Sequence, residues 1–91
     1  MNHRSQLTRT MRLHRKLQSR AYLWTWDVLK RDHYQCRHCS ATNHLDAAHI
    51  IPKSRAPTLR YHLSNGITLC RTCHEYFHQH PAKWREFLNR L

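Results

Sequence analysis

The stretch Ser64-Asn65-Gly66-Ile67-Thr68-Leu69-Cys70-Arg71-Thr72-Cys73-His74-Glu75-Tyr76-Phe77-His78 decides how this 91-residue chain is read. Ser64-Asn65-Gly66 is a turn signal, and Ile67-Thr68-Leu69 is a short β-branched run, so a strand delivers Cys70. From about Cys70 to Gln79 the residues suit a helix, which puts His74 and His78 on one face. Cys36 and Cys39 form a second C-x2-C pair, with residues 40–69 between the two pairs. Two such knuckles suit one tetrahedral zinc held by Cys36, Cys39, Cys70 and Cys73. A redox C-x-x-C motif needs one pair, not two. Nothing marks the chain as secreted, so disulfides are not expected. The spacer exceeds the roughly 15–20 residues of a compact two-knuckle site, so the pinned loop holds something extra.

Within that loop, Leu45 to Ile51 reads as a strand closed by Pro52. Lys53 to Leu63 is a basic loop. Upstream, residues 21–33 suit a helix: Tyr22, Trp26 and Leu29 share a face, which Leu23, Trp24 and Val28 widen. Trp24 and Trp26 both read as core, and Lys30, Arg31 and His33 suit the last turn. Downstream, Pro81 opens an amphipathic helix with Trp84, Phe87, Leu88 and Leu91. Residues 1–20 carry six Lys and Arg and no acid. A partial stripe there (Leu7, Met11, Leu13, Leu17) suits a helix from about Leu7, or a solvated basic arm. The expected division is an arm over 1–20 and one domain over 21–91, with its core at 31–80 and a C-terminal helix at 82–91.

Composition narrows the class. A chain this short buries only about 60–65% of its extended surface, so its core needs help, and a zinc would supply it. Net charge is +11 with histidines neutral. Four thiolates on one zinc would bring it to +9. Such charge on one small domain points to a polyanion, with nucleic acid first and an anionic membrane surface second. The longest uncharged run, Tyr61 to Cys70, is too short to span a bilayer. The basic N-terminus lacks the apolar core of a secretory signal, while an amphipathic transit peptide stays open. The expected location is the cytoplasm.

Ten histidines are an excess. His74 and His78 have metal-ligand spacing, against the plainer reading of two surface histidines. His49 lies near the end of the first strand, where an imidazole can take a proton from water at neutral pH. Asn65 suits an Asn-Gly hairpin turn, and it also suits pinning the loop opposite His49. His74-Glu75-Tyr76-Phe77-His78 matches the H-E-x-x-H of zinc proteases. Such an enzyme also needs a third ligand, a substrate-binding sheet and a cleft. Here 13 residues follow His78, and a first helical turn abutting a zinc knuckle is the wrong context, so this match is disfavoured.

Taken together, Arg31 to Cys39, Leu45 to Pro52 and Ser64 to His78 resemble the HNH endonuclease family, in the zinc-knuckle branch found in phage and bacteria. The resemblance implies a small α+β fold: a ββα-metal, treble-clef-like core with a four-cysteine zinc, flanked by N- and C-terminal helices. It implies that His49 is the general base, that Asn65 braces its loop and that His74 ligates a catalytic divalent metal, with His78 as second ligand. It implies hydrolysis of DNA phosphodiesters to 5′-phosphate and 3′-hydroxyl ends, from the minor groove and with low sequence specificity. The family usually carries Asp or His just before the general base, and here that residue is Ala48. Asp46, on the same face of the strand, is a candidate substitute. The catalytic ion is expected among magnesium, manganese, nickel and zinc, and Ala48 favours those that accept imidazole. Lys53, Arg55, Arg60 and Arg71 are the expected phosphate contacts. The rival reading is a non-catalytic zinc module that binds nucleic acid or docks on a larger assembly. The C-terminal helix would then serve a second copy or another partner.

Overall fold

The computed structural model describes residues 19–91. The helix expected from about Leu7 lies outside them, as does the rest of the basic arm before Ser19. Helix α1 (Arg20–Arg31) is capped at its start by the Ser19 hydroxyl, which accepts from the Tyr22 amide at 3.1 Å. Its end is a Schellman turn, with His33 N–H donating to Lys30 O and Tyr34 N–H to Leu29 O. His33 takes the left-handed position usually given to glycine, and Tyr34 is left-handed as well. The helix therefore stops before His33, slightly earlier than the charge pattern suggested.

Strands β1 (Leu45–His49) and β2 (Gly66–Cys70) pair antiparallel, with Leu45 opposite Cys70 and His49 opposite Gly66. Helix α2 (Arg71–Gln79) follows β2 directly, and α3 (Pro81–Asn89) follows with Pro81 in its first turn. Strand alternation divides the two faces. Ala48, Ile67 and Leu69 pack with Phe77 of α2 and with Cys36, Cys70 and Cys73. On the other face, Gly66 and Thr68 meet Trp24 and Val28 of α1. Burial on both faces explains why β2 is buried along its whole length.

Two expectations are corrected here. Asn65-Gly66 is not a hairpin turn. Residues 50–65 separate the strands, Asn65 ends a short 3-10 turn (Leu63–Asn65), and Gly66 is extended at φ −120°. Glycine is needed there for close approach, because a Cβ would stand 2.8 Å from Trp24 Cζ2 and would also strike Val28. Trp26 is not core. It is 45% exposed, while Trp24, Val28 and Leu29 form the buried face of α1. Trp84 and Phe87 of α3 are half-buried against the core cluster. Trp84 and Phe87 lie 5.2 and 5.1 Å from the Phe77 ring, centroid to centroid, although Leu91 stays exposed.

Asp32 ties these parts together. Its buried carboxylate accepts from Arg31, Arg37 and the Thr68 amide, and Arg31 also donates to the carbonyls of Leu63 and Gly66. Burial alone would raise its pKa. The two guanidiniums and the Thr68 N–H outweigh burial and bring it from 3.8 to about 2. A carboxylate depressed in the fold stabilises when ionised. The contribution is complete above the unfolded value and disappears as pH falls through about 2. The shift corresponds to about 2 kcal/mol. Asp32→Asn should lower the melting temperature at pH 7 by roughly 10 °C. An unchanged melting temperature in Asp32→Asn at pH 7 would show that ionisation of Asp32 does not stabilise the fold.

Candidate active site

The candidate functional side chains form two clusters. The first is the thiols. The Sγ atoms of Cys36, Cys39, Cys70 and Cys73 all lie within 4.8 Å of one another, with Cys39 and Cys70 at 3.6 Å. That suits one tetrahedral ion, where thiolates at about 2.3 Å stand about 3.8 Å apart. The backbone N–H groups of His38 and Cys39 point at Cys36 Sγ, both at 3.4 Å. Burial pushes the Cys36 thiol up, but these and neighbouring amides outweigh it and hold its pKa at about 7. Cys73 is pushed far up, by burial first and then by the sulfurs of Cys70 and Cys39. Four crowded thiols cannot ionise together without a cation among them, so the donor set fits a metal such as zinc. His38 Nδ1 adds a polar contact to Cys73 Sγ at 3.2 Å.

The second cluster lines a cleft of about 230 Å³ between β1, α2 and the start of α3. His49, His74 and His78 all border it, with Ala48, Phe77 and Trp84 among the apolar walls. His74 and His78, one helical turn apart, bring their Nε2 atoms to 3.2 Å. Two imidazole nitrogens on one tetrahedral ion stand about 3.3 Å apart, so the pair fits a shared metal. Asp46 Oδ2 accepts from His74 Nδ1 at 3.1 Å, which leaves the Nε2 lone pair of His74 for an ion. The Asp46 carboxylate is therefore one shell out from the imidazole pair. Burial would raise its pKa, yet Arg71 and His74 hold it below the usual carboxylate range.

His49 is oriented from the loop. Its Nε2–H donates to the Arg60 carbonyl at 2.9 Å, since a ring nitrogen facing a carbonyl carries the proton. The lone pair then sits on Nδ1. Asn65, nearly fully buried, binds the loop just past the strand. Its Oδ1 accepts from Ile51 N–H at 2.8 Å, and its Nδ2 donates to the carbonyls of Ile51 and Leu59. That grip also ends β1 at His49, two residues short of the strand read from sequence. The His49 ring stacks on Trp24 with centroids 4.4 Å apart.

The basic residues divide. Lys53 and Arg55 are exposed on the loop. Arg60 is half-buried, its guanidinium 5.7 Å from the Tyr61 ring centroid. Arg71 is exposed but paired with Asp46 at 3.1 Å. Ala48 is buried in the core cluster and brings no ligand to the cleft. The sequence offers Asp46 as a substitute metal ligand, whereas in the fold it is the partner of His74, a pairing across 28 residues. The contact of Trp24 with His49 is missed by sequence reasoning, which expects only a core residue there. The available signal was that a buried indole N–H needs an acceptor.

A two-stranded sheet followed by a helix, with four clustered thiols that can bind a metal, defines a small α+β ββα-type domain. The HNH endonuclease family model matches residues 28–81, more than half of the chain, and the chain belongs to that family. No curated protein and no solved structure matches it. Among the described residues, no helix is long and apolar enough to cross a membrane.

Proposed function

We propose that this chain is a metal-dependent nuclease that hydrolyses DNA phosphodiester bonds, nicking duplex DNA with little sequence preference. The observation that carries the reading is one cleft bordered by His49, with its Nδ1 left basic, and by the His74–His78 pair. In this reading His49 Nδ1 takes a proton from water, and the hydroxide attacks phosphorus in line. The P–O3′ bond breaks and the departing O3′ takes a proton from solvent, giving 3′-hydroxyl and 5′-phosphate ends, while His49 returns its proton to solvent. Asn65 holds the loop so that His49 keeps its place. His74 and His78 would hold the divalent ion, with Asp46 orienting His74. When bound, that ion supplies positive charge for the scissile phosphate and the leaving oxygen. The four cysteines would hold a structural zinc. Lys53, Arg55, Arg60 and Arg71 would meet backbone phosphates. If each neutralises one, raising salt from 50 to 200 mM lowers DNA affinity about a hundredfold. Salt-independent binding would remove that account.

The test is nicking of supercoiled plasmid by protein stripped of loosely held metal, with magnesium, manganese, nickel or zinc added separately. Metal-dependent nicking is expected. The buried methyl of Ala48, where the family usually carries a ligand, favours a second reading: a non-catalytic zinc module that binds DNA. DNA binding with no nicking in any metal would establish that module instead.

A further inference from the structure

We infer that Trp24 is a positioning residue for His49, setting the plane of the imidazole that the nuclease reading makes the general base. The inference rests on that reading for its catalytic consequence, and on geometry alone for the contact. Trp24 precedes the family match, which begins at residue 28. Trp24 is 6% exposed, and its ring lies nearly parallel to the His49 ring, at 19° and 4.4 Å between centroids.

A single hydrogen bond does not orient an imidazole. The bond from Nε2–H to the Arg60 carbonyl fixes one atom and leaves the ring free to rock about that line. A flat indole against the ring face removes this freedom, so the Nδ1 lone pair keeps one direction. Trp24 can act as such a wall because it is itself held. Its Nε1–H donates to the His62 carbonyl at 2.8 Å, and Gly66 leaves room for its six-membered ring. Tyr61 meets it edge-on. The two rings thus hang from carbonyls two residues apart on the same loop, at Arg60 and His62. The indole also suits the step assigned to His49. An imidazole that has taken a proton is a cation lying on an aromatic face, which is electrostatically favourable.

The experiment uses wild type, Trp24→Leu and Trp24→Phe as full-length, zinc-loaded chains. NMR of the histidine ring protons reads the stack directly, because an indole face displaces the protons above it upfield. His49, assigned by its loss in His49→Gln, is expected upfield in wild type of its own position in Trp24→Leu, with Trp24→Phe between the two. His80, stacked on Tyr76, should not move among these variants. In plasmid nicking, Trp24→Leu is expected to lower kcat by about tenfold to a hundredfold with KM unchanged. Trp24→Phe should recover most of that loss. An undisplaced His49 in wild type overturns the inference. So does an unchanged kcat in Trp24→Leu, or a Trp24→Phe variant no better than Trp24→Leu with kcat, KM and melting temperature all worsened. A wild type that fails to cut overturns the nuclease reading instead. The NMR arm then still decides whether Trp24 holds the imidazole.

Discussion

Replacing His49 is expected to lower metal-dependent nicking by about a hundredfold to ten-thousandfold while DNA affinity stays close to wild type. The expectation follows from the proposed division of labour. His49 supplies the basic nitrogen, while DNA is held by charge spread over other residues. His49→Gln is the sharper variant, because a glutamine amide can still donate to the Arg60 carbonyl but has no basic nitrogen. His49→Ala also removes the surface that Trp24 stacks on, so some loss of melting temperature belongs to it and not to the chemistry. Comparable losses of rate in both, with normal DNA binding, support the general base. Wild-type nicking by His49→Gln would sink the assignment and move attention to another proton acceptor in the cleft.

Removing the metal from the cysteine cluster should unfold the domain. The largest fully buried side chains among the described residues are Ile67, Leu69, Val28 and Thr68, which make a thin core. Three of the four cysteines belong to the same packed cluster, so the ion would sit at the edge of the core itself. Structural zinc contributes about 10–16 kcal/mol to folding in small zinc-finger peptides. An ordinary domain is stable by about 5–15 kcal/mol in total. A strong chelator, or Cys70→Ala, should therefore abolish the cooperative melt seen by circular dichroism. Metal analysis should find zinc at one per chain in the folded protein. Chelation should make all four thiols reactive together. A melt unchanged after complete zinc removal would show that the fold stands on its own packing. The cluster would then need another explanation.

Local residue patterns carry the order of the elements over the described residues, the pairing of the two C-x2-C knuckles and the shared face of His74 and His78. These are local properties. Strand period, helical spacing and the reach of a knuckle all operate over a few residues, and each leaves its mark on residue type. The family resemblance came from the same local pieces, read in order.

How those pieces face one another follows from long-range packing. Helical spacing placed Trp24 and Trp26 together on an apolar segment, but it did not say that only one of them would meet the sheet. Asn65-Gly66 carries the residue types of a hairpin turn. Yet the Asn side chain is engaged by Ile51 and Leu59, and the glycine is required by an indole from α1. Asp46 and Ala48 share a strand face, but that Asp46 reaches His74 while Ala48 is buried follows from where α2 lies. Which nitrogen of His49 keeps its lone pair depends on a carbonyl eleven residues away. Periodicity marks the surface an element will bury. The partner that covers it is set by contacts between residues far apart in the chain, and no short stretch of sequence records them.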